Sequence, residues 1–288
     1  MPEPVVSHVQ VAPALAARRL GAPRTLFSTD LGRTVTETEL TDDGILLPDG
    51  ALLRWADAEA IAAAPNACFR LLAGGLEPIR AFSGTTGRVV GLMATTGAPT
   101  MILGGFYMHR VKGTDPWADT LAKVAAVAPV RGAVLDTTMG LGYTAIAAAR
   151  TASRVLTIEL DPAVVEIAAL NPWSGELFAD PRIERRVGDA TELVAELPDA
   201  SFDRVLHDPP TLSLAGELYG GTFYAQLLRV LRPGGRLFHY VGRPDSGHGA
   251  RTGAGVIRRL REAGFEAVAE RPAAFGIVAA RSARGRRH

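Results

Sequence analysis

Val134-Leu135-Asp136-Thr137-Thr138-Met139-Gly140-Leu141-Gly142-Tyr143-Thr144-Ala145 is the stretch from which the fold can be read. The short apolar run Ala133–Asp136 has the character of a strand buried on both faces, and it ends in an acid. Gly140 and Gly142 then remove side chains where the backbone must turn sharply. The helix expected over Tyr143–Ala149 offers its free N–H groups to that turn. Working outward, the same alternation recurs. Arg154–Ile158 reads as a second strand, and Pro162–Leu170 as a second helix capped by Asp161. Ile183–Val187, Phe202–His207 and Arg236–Tyr240 read as further strands, with helices at about Thr222–Leu231 and Gly253–Ala263 among them. Phe265–Glu270 and Ala274–Ala280 close the chain as two short strands. Strands and helices in strict alternation predict an α/β fold with a parallel, doubly wound sheet, whose ligands lie beyond the carboxyl ends of the strands.

Those ends carry acids. The loop Gly140-x-Gly142-x-x-Ala145, with Glu159 nineteen residues past Gly140, also fits a dinucleotide-binding fingerprint, so alone it leaves a nicotinamide nucleotide open. Glu159 ends the second strand, where a carboxylate accepts both ribose hydroxyl protons. Asp189 ends the third and pairs with Glu192 as a helix cap. After the fourth strand comes His207-Asp208-Pro209-Pro210-Thr211, whose two prolines stiffen the backbone before any ligand arrives.

The position of Asp136, four residues before the first glycine, resembles the first motif of class I S-adenosylmethionine-dependent methyltransferases. His207-Asp208-Pro209-Pro210 resembles the Asp/Asn-Pro-Pro-aromatic motif of amino-methyltransferases. Leu228-Arg229-Val230-Leu231-Arg232-Pro233-Gly234-Gly235-Arg236-Leu237 resembles the helix-turn-strand that precedes the fifth strand in these enzymes. A narrower resemblance reaches back to Met108-His109-Arg110 and Asp115-Pro116. It is to archaeal-type predicted methyltransferases sometimes labelled spermidine/spermine synthase-like. The resemblance implies a Rossmann-like class I methyltransferase sheet, mostly parallel with its last strand antiparallel, and S-adenosyl-L-methionine as cofactor. The residues implied to hold it are Asp136, Thr138, Gly140, Gly142, Tyr143, Glu159, Leu160, Asp189, Ala190 and Asp208. Asp208 and Pro209 carry the catalytic expectation, with His207 beside them, and methyl transfer to an amino nitrogen is the expected reaction. Pro210, Tyr219, Tyr224 and His239 are the expected substrate residues. Two departures stand out. Thr138 occupies a usual glycine position, and Thr211 stands where the family has a stacking aromatic, a surface that Tyr219, Phe223 or Tyr224 would have to supply.

Other readings stay open at this point. An aminopropyltransferase using decarboxylated S-adenosylmethionine shares Asp208-Pro209 and a strand-rich N-terminal unit. An NAD(P)-dependent oxidoreductase fits the glycine loop but leaves Asp208-Pro209-Pro210 unexplained. A non-catalytic cofactor-binding or RNA-binding module is the third. His207, His239 and Asp208 lack the short spacing of metal ligands, so no metal is expected. Trp173 is expected to pack rather than to line a base pocket.

Residues 1–108 read as a small strand-rich domain covering the substrate side, and 109–288 as the cofactor-binding catalytic domain. In the first, Asp43-Gly44 and Pro48-Asp49-Gly50 separate short strands at Thr34–Leu40, Ile45–Leu47 and Ala51–Trp55. A short helix follows over Asp57–Ala64, and the N-terminus, with Glu3 and Pro4 and then breaks at Pro13 and Arg18-Arg19, is expected to lack the layout of a secretory signal. Asp115-Pro116 then opens a helix with Trp117, Leu121 and Val124 on one face.

The chain has 288 residues, 47% of them hydrophobic, a formal net charge of +1 and one cysteine, Cys68. That composition supports a real core, excludes an internal disulfide and fits a cytoplasmic location with no membrane span. Only Lys112 and Lys123 are lysines; every other basic side chain is arginine, a bias of base composition rather than a nucleic-acid signature. The tail Arg281–His288 is basic enough to touch phosphates, but a solvated end is the expected state. The acceptor is left among a small-molecule amine, RNA and a protein amine, and the oligomeric state is unassigned.

Overall fold

The computed structural model describes residues 3–243 and 246–283. The tail residues Arg284, Arg286, Arg287 and His288 lie outside the described residues.

Seven strands form the central sheet. In chain order they are Ala133–Asp136, Arg154–Glu159, Ile183–Val187, Phe202–His207, Leu231–Tyr240, Glu266–Arg271 and Gly276–Ala280, and in space they lie in the order 3-2-1-4-5-7-6. The first five run parallel, and the seventh runs antiparallel between the fifth and the sixth. This is the mostly parallel Rossmann-like sheet with an antiparallel last strand that the resemblance implies. Val134, Leu135, Val205 and Leu206 in its two middle strands are fully buried, because helices cover both faces. The strand order reverses between the first and fourth strands. Their following loops therefore diverge and open a crevice at the carboxyl edge.

Two boundaries differ from expectation. The fifth strand begins at Leu231 rather than Arg236. The residues expected as a turn are absorbed as an irregularity between Phe202 and Arg204 of the neighbouring strand, with Gly234 at φ +77°. The helix Gly247–Glu262 starts six residues before Gly253, where Ser246 Oγ accepts the Gly249 N–H. A side-chain cap there offsets the poor helix propensity of two glycines.

The chain divides into two compact units, Met1–Trp117 with Ala163–Gly175, and Ala118–Pro162 with Glu176–His288. The first is strand-rich, but after the strand Val5–Ser7 it carries a helix, His8–Arg19, that runs through Pro13 in a stretch read only as short strands. Ser7 and Gln10 close a capping box at its start, and Val11 and Ala14 are buried while Pro13 faces solvent. The turn is nucleated and anchored, and the missing proline N–H falls on the wet side. Val6, Val11, Ile45, Leu53, Trp55 and Ile61 belong to the core of this unit, and Trp55 Nε1 donates to Thr41 O at 3.0 Å. In the same unit Trp173 Nε1 donates to Leu31 O at 3.1 Å and its ring tilts against Trp117, so Trp173 packs. Among the described residues no helix is long and apolar enough to cross a membrane.

Candidate functional site

The acid ending the first strand is sealed in. Asp136 is 0% exposed, and its Oδ2 accepts from Thr157 Oγ1 at 2.8 Å and Thr144 Oγ1 at 3.0 Å. Its Oδ1 has no partner among the described residues, and the same holds for buried Thr138 Oγ1. Burial pushes the Asp136 carboxyl up to about 7 against the two threonine bonds, and the Asp208 and Glu159 carboxylates push the same way. A buried polar atom left unpaired is costly. Two of them at one strand end fit a ligand that brings its own charged amino group and a further polar group.

The glycine turn is built for close approach. Gly140 and Gly142 sit at φ +53° and +76°, in the left-handed region. A Cβ on Gly142 would lie 2.5 Å from Leu177 Cδ2, whereas one on Gly140 would meet open space. Gly142 is therefore required by packing and Gly140 by backbone conformation. The Gly140 N–H donates to Glu159 Oε2 at 2.9 Å and the Asp161 N–H to Oε1 at 3.1 Å, which fixes the carboxylate at the end of the second strand. Burial raises that carboxyl to about 6 despite these backbone bonds.

Apolar surface lies open beside it. Leu160 is 49% exposed and Val187, the register neighbour of Glu159, is 54% exposed. Asp189 caps the helix Ala190–Glu196, its Oδ1 accepting both the N–H and the hydroxyl of Thr191 at 2.7 Å. The cap partner is Thr191, and Asp189 Oδ2 carries no bond among the described residues. Tyr143 and Ala190 are buried, so the Tyr143 ring belongs to the core and only its backbone, at the helix start, adjoins the glycine turn.

The fourth strand end separates residues that adjoin in sequence. His207 is 0% exposed, its Nε2 donating to Leu218 O at 2.9 Å and its Nδ1 accepting from Thr137 Oγ1 at 2.6 Å. Burial holds its pKa down at about 4. It is a neutral core imidazole with both nitrogens engaged, which removes it as a proton carrier for the site. His239 and Tyr224 are likewise fully buried. The Tyr224 hydroxyl donates to His239 Nε2 at 2.8 Å, and His239 Nδ1 donates to Tyr240 O at 2.7 Å. The two imidazoles stand edge to face with centroids 4.4 Å apart. Tyr224, Phe223 and His239 thus form an inner wall and present no surface to a substrate. Tyr219 bridges inner wall and loop. Its ring is buried and its hydroxyl donates to Pro210 O at 2.9 Å.

Asp208 points the other way. Its side chain is 19% exposed, and Oδ2 pairs with Lys123 Nζ at 2.6 Å. Its Oδ1 has no protein partner among the described residues. Lys123 also pairs with Asp119 Oδ2 at 2.8 Å and lies 4.3 Å over the Tyr240 ring. Burial disfavours the Lys123 charge, but the carboxylates of Asp208 and Asp119 outweigh it and hold the ammonium above its usual range. Burial raises Asp208 more than Lys123 lowers it. Lys123, Asp119 and Tyr240 went unseen in sequence. Lys123 did leave a signal, since it is one of two lysines in a chain that otherwise uses arginine. A hollow of about 70 Å³ opens beside this group, lined by Pro209, Thr211, Tyr219, Tyr240 and Arg243 among others. A larger cleft of about 470 Å³ lies at the opposite, amino ends of the strands. Its arginines are committed within the chain, Arg182 to Asp180, Arg186 to Glu184 and Arg154 to Ser201 O.

Residues 135–239 match a sequence family described as a methyltransferase domain. An uncharacterized protein of Methanocaldococcus jannaschii is 49% identical over 183 residues, 63% of each chain. Polyamine aminopropyltransferase 2 of Streptomyces coelicolor is 32% identical over 171 residues, 56% of this chain. The matched stretch spans 63% and 30% of the lengths of these two curated relatives. Spermidine synthase from Thermotoga maritima superposes with a TM-score of 0.54 at 16% identity, over 75% of this chain and 79% of its own, a likeness of fold.

Proposed function

From a chain that carries the class I S-adenosylmethionine-dependent methyltransferase fold, related to spermidine synthase-like proteins, we propose a methyltransferase acting on an amino nitrogen. The observation that carries this reading is Asp208, a carboxylate on a proline-stiffened loop with one oxygen tied and the other open.

Asp136 Oδ1 and Thr138 Oγ1 would take the amino acid end of S-adenosyl-L-methionine, Glu159 its ribose, and Asp189 with the open Leu160 its adenine. The cofactor supplies a methyl group on a sulfonium sulfur that needs no further activation, so the protein contributes alignment and exclusion of water. Asp208 Oδ1 and the Pro209 carbonyl region accept the N–H bonds of a neutral amine and aim its lone pair. Nitrogen would gain the methyl carbon as the sulfur–methyl bond breaks and neutral S-adenosylhomocysteine leaves, and the proton the nitrogen then sheds would pass to Asp208, whose burial favours the protonated form.

Tritiated-methyl transfer from labelled S-adenosylmethionine into fractionated cell extract, scored for RNA, protein and small molecules, tests the reading. Asp208→Ala should lose transfer and keep cofactor affinity. Near-full turnover in that variant, or a site that takes NADH and refuses S-adenosylhomocysteine, would overturn it.

One observation favours a second reading, aminopropyl transfer from decarboxylated S-adenosylmethionine. Asp208 and Glu159 both press negative charge on Asp136, and a cofactor without a carboxylate meets less repulsion there. Calorimetry with the two cofactors separates the readings.

A further inference from the structure

We propose that Lys123 is the positioning residue of this site, tying Oδ2 of Asp208 inward so that Oδ1 alone faces an acceptor. The proposal rests on the reading of Asp208 as the acceptor-facing carboxylate. A free carboxylate rotates about its last torsion and offers either oxygen. Here the 2.6 Å ion pair to Lys123 marks one oxygen as internal. Lys123 has no freedom of its own, because Asp119 Oδ2 holds it from one turn earlier on the helix Pro116–Ala125 and the Tyr240 ring lies beneath it. With Lys123 only 2% exposed, little water competes for these contacts and the pairing is strong.

The same contact acts on the charge of Asp208, against the larger effect of burial. The groups that act on it are Lys123 and Asp119 from that helix, Asp136 from the end of the first strand, and Tyr219 from the loop beyond the prolines. Tyr240, at the end of the fifth strand, meets Lys123. Of these only Lys123 is positive. It lowers the proton affinity of Asp208, while burial and Asp119 raise it. Lys123 therefore opposes the rise that burial and Asp119 impose on the Asp208 carboxyl.

Titration of Asp208 in the full chain, by NMR of protein labelled at the aspartate carboxyl carbon, tests this. Asp208→Asn assigns the signal. Lys123→Met should move the Asp208 midpoint upward by about one pH unit or more, and Lys123→Arg should return it towards wild type. Asp119→Asn, which removes a neighbouring negative charge while its amide oxygen can still accept from Lys123, should move it downward. Equal midpoints in wild type and Lys123→Met overturn the proposal. Should Lys123→Met not fold, an unmoved midpoint in Asp119→Asn overturns it instead. No cofactor or acceptor enters the measurement, so failure of methyl transfer and failure of this inference are read separately.

Discussion

Asp136→Asn should make the protein more stable at neutral pH while disabling it. An aspartate in an unfolded chain loses its proton at about 3.8, whereas burial holds the native Asp136 carboxyl up to about 7. Between those values the native state keeps a proton that the unfolded state has released, so stability falls as pH rises through the interval and levels off above it. The interval corresponds to a penalty of about 4 kcal/mol at pH 8, an upper bound because a buried site relaxes around its charge. Asparagine carries no charge to bury, and its carbonyl oxygen can still accept from Thr144 and Thr157. Urea unfolding of wild type and Asp136→Asn from pH 4 to 8.5 measures this directly. The two should agree near pH 4 and diverge by about 2–4 kcal/mol at pH 8, with the variant the more stable and unable to bind S-adenosylhomocysteine. His207, held down at about 4 by burial, acts in the opposite sense between about 4 and 6.5. The difference between the two proteins, not either raw curve, is therefore the quantity to read. A variant less stable than wild type at pH 8, or one whose pH slope matches it, would refute the reasoning.

Two further outcomes follow from the geometry. Gly142→Ala places a methyl 2.5 Å from Leu177 Cδ2 at φ +76°. Backbone strain of about 1–2 kcal/mol plus that clash should lower the melting temperature in calorimetry and weaken S-adenosylhomocysteine binding by about tenfold or more. Tyr219→Phe removes the bond to Pro210 O. It should cost about 1 kcal/mol in urea unfolding and slow methyl transfer without changing cofactor affinity.

Much of the sheet was legible because its signals are local. Ala133–Asp136, Ile183–Val187 and Phe202–His207 are uninterrupted strand patterns bounded by turns, and they stand where sequence places them. The helix His8–Arg19 was hidden by Pro13, whose cost depends on which side of the helix faces water, a tertiary property. The site divides in the same way. Asp136, Glu159 and Asp208 declare themselves by their place at strand ends. His207 misled because successive residues leaving a strand point to opposite faces, so His207 and Asp208 do not serve the same cavity. Lys123 lies 85 residues from Asp208, and no local pattern joins the two. Tyr224 and His239 read as substrate residues until their partners are known, when each proves to satisfy the other.

The chain leaves its second unit at Ala163 and rejoins it at Glu176. Within the first unit that excursion is bonded to the N-terminal sequence, Trp173 to Leu31 and Arg33 to Pro172. A cut near residue 108 therefore does not release a self-contained module. It strands the indole of Trp173 without its acceptor and uncovers a surface that belongs to the removed part. Recombination, in a lineage or on the bench, cannot exchange the leading segment of this protein as a cassette. Any exchange of that segment would have to carry residues 163–175 with it.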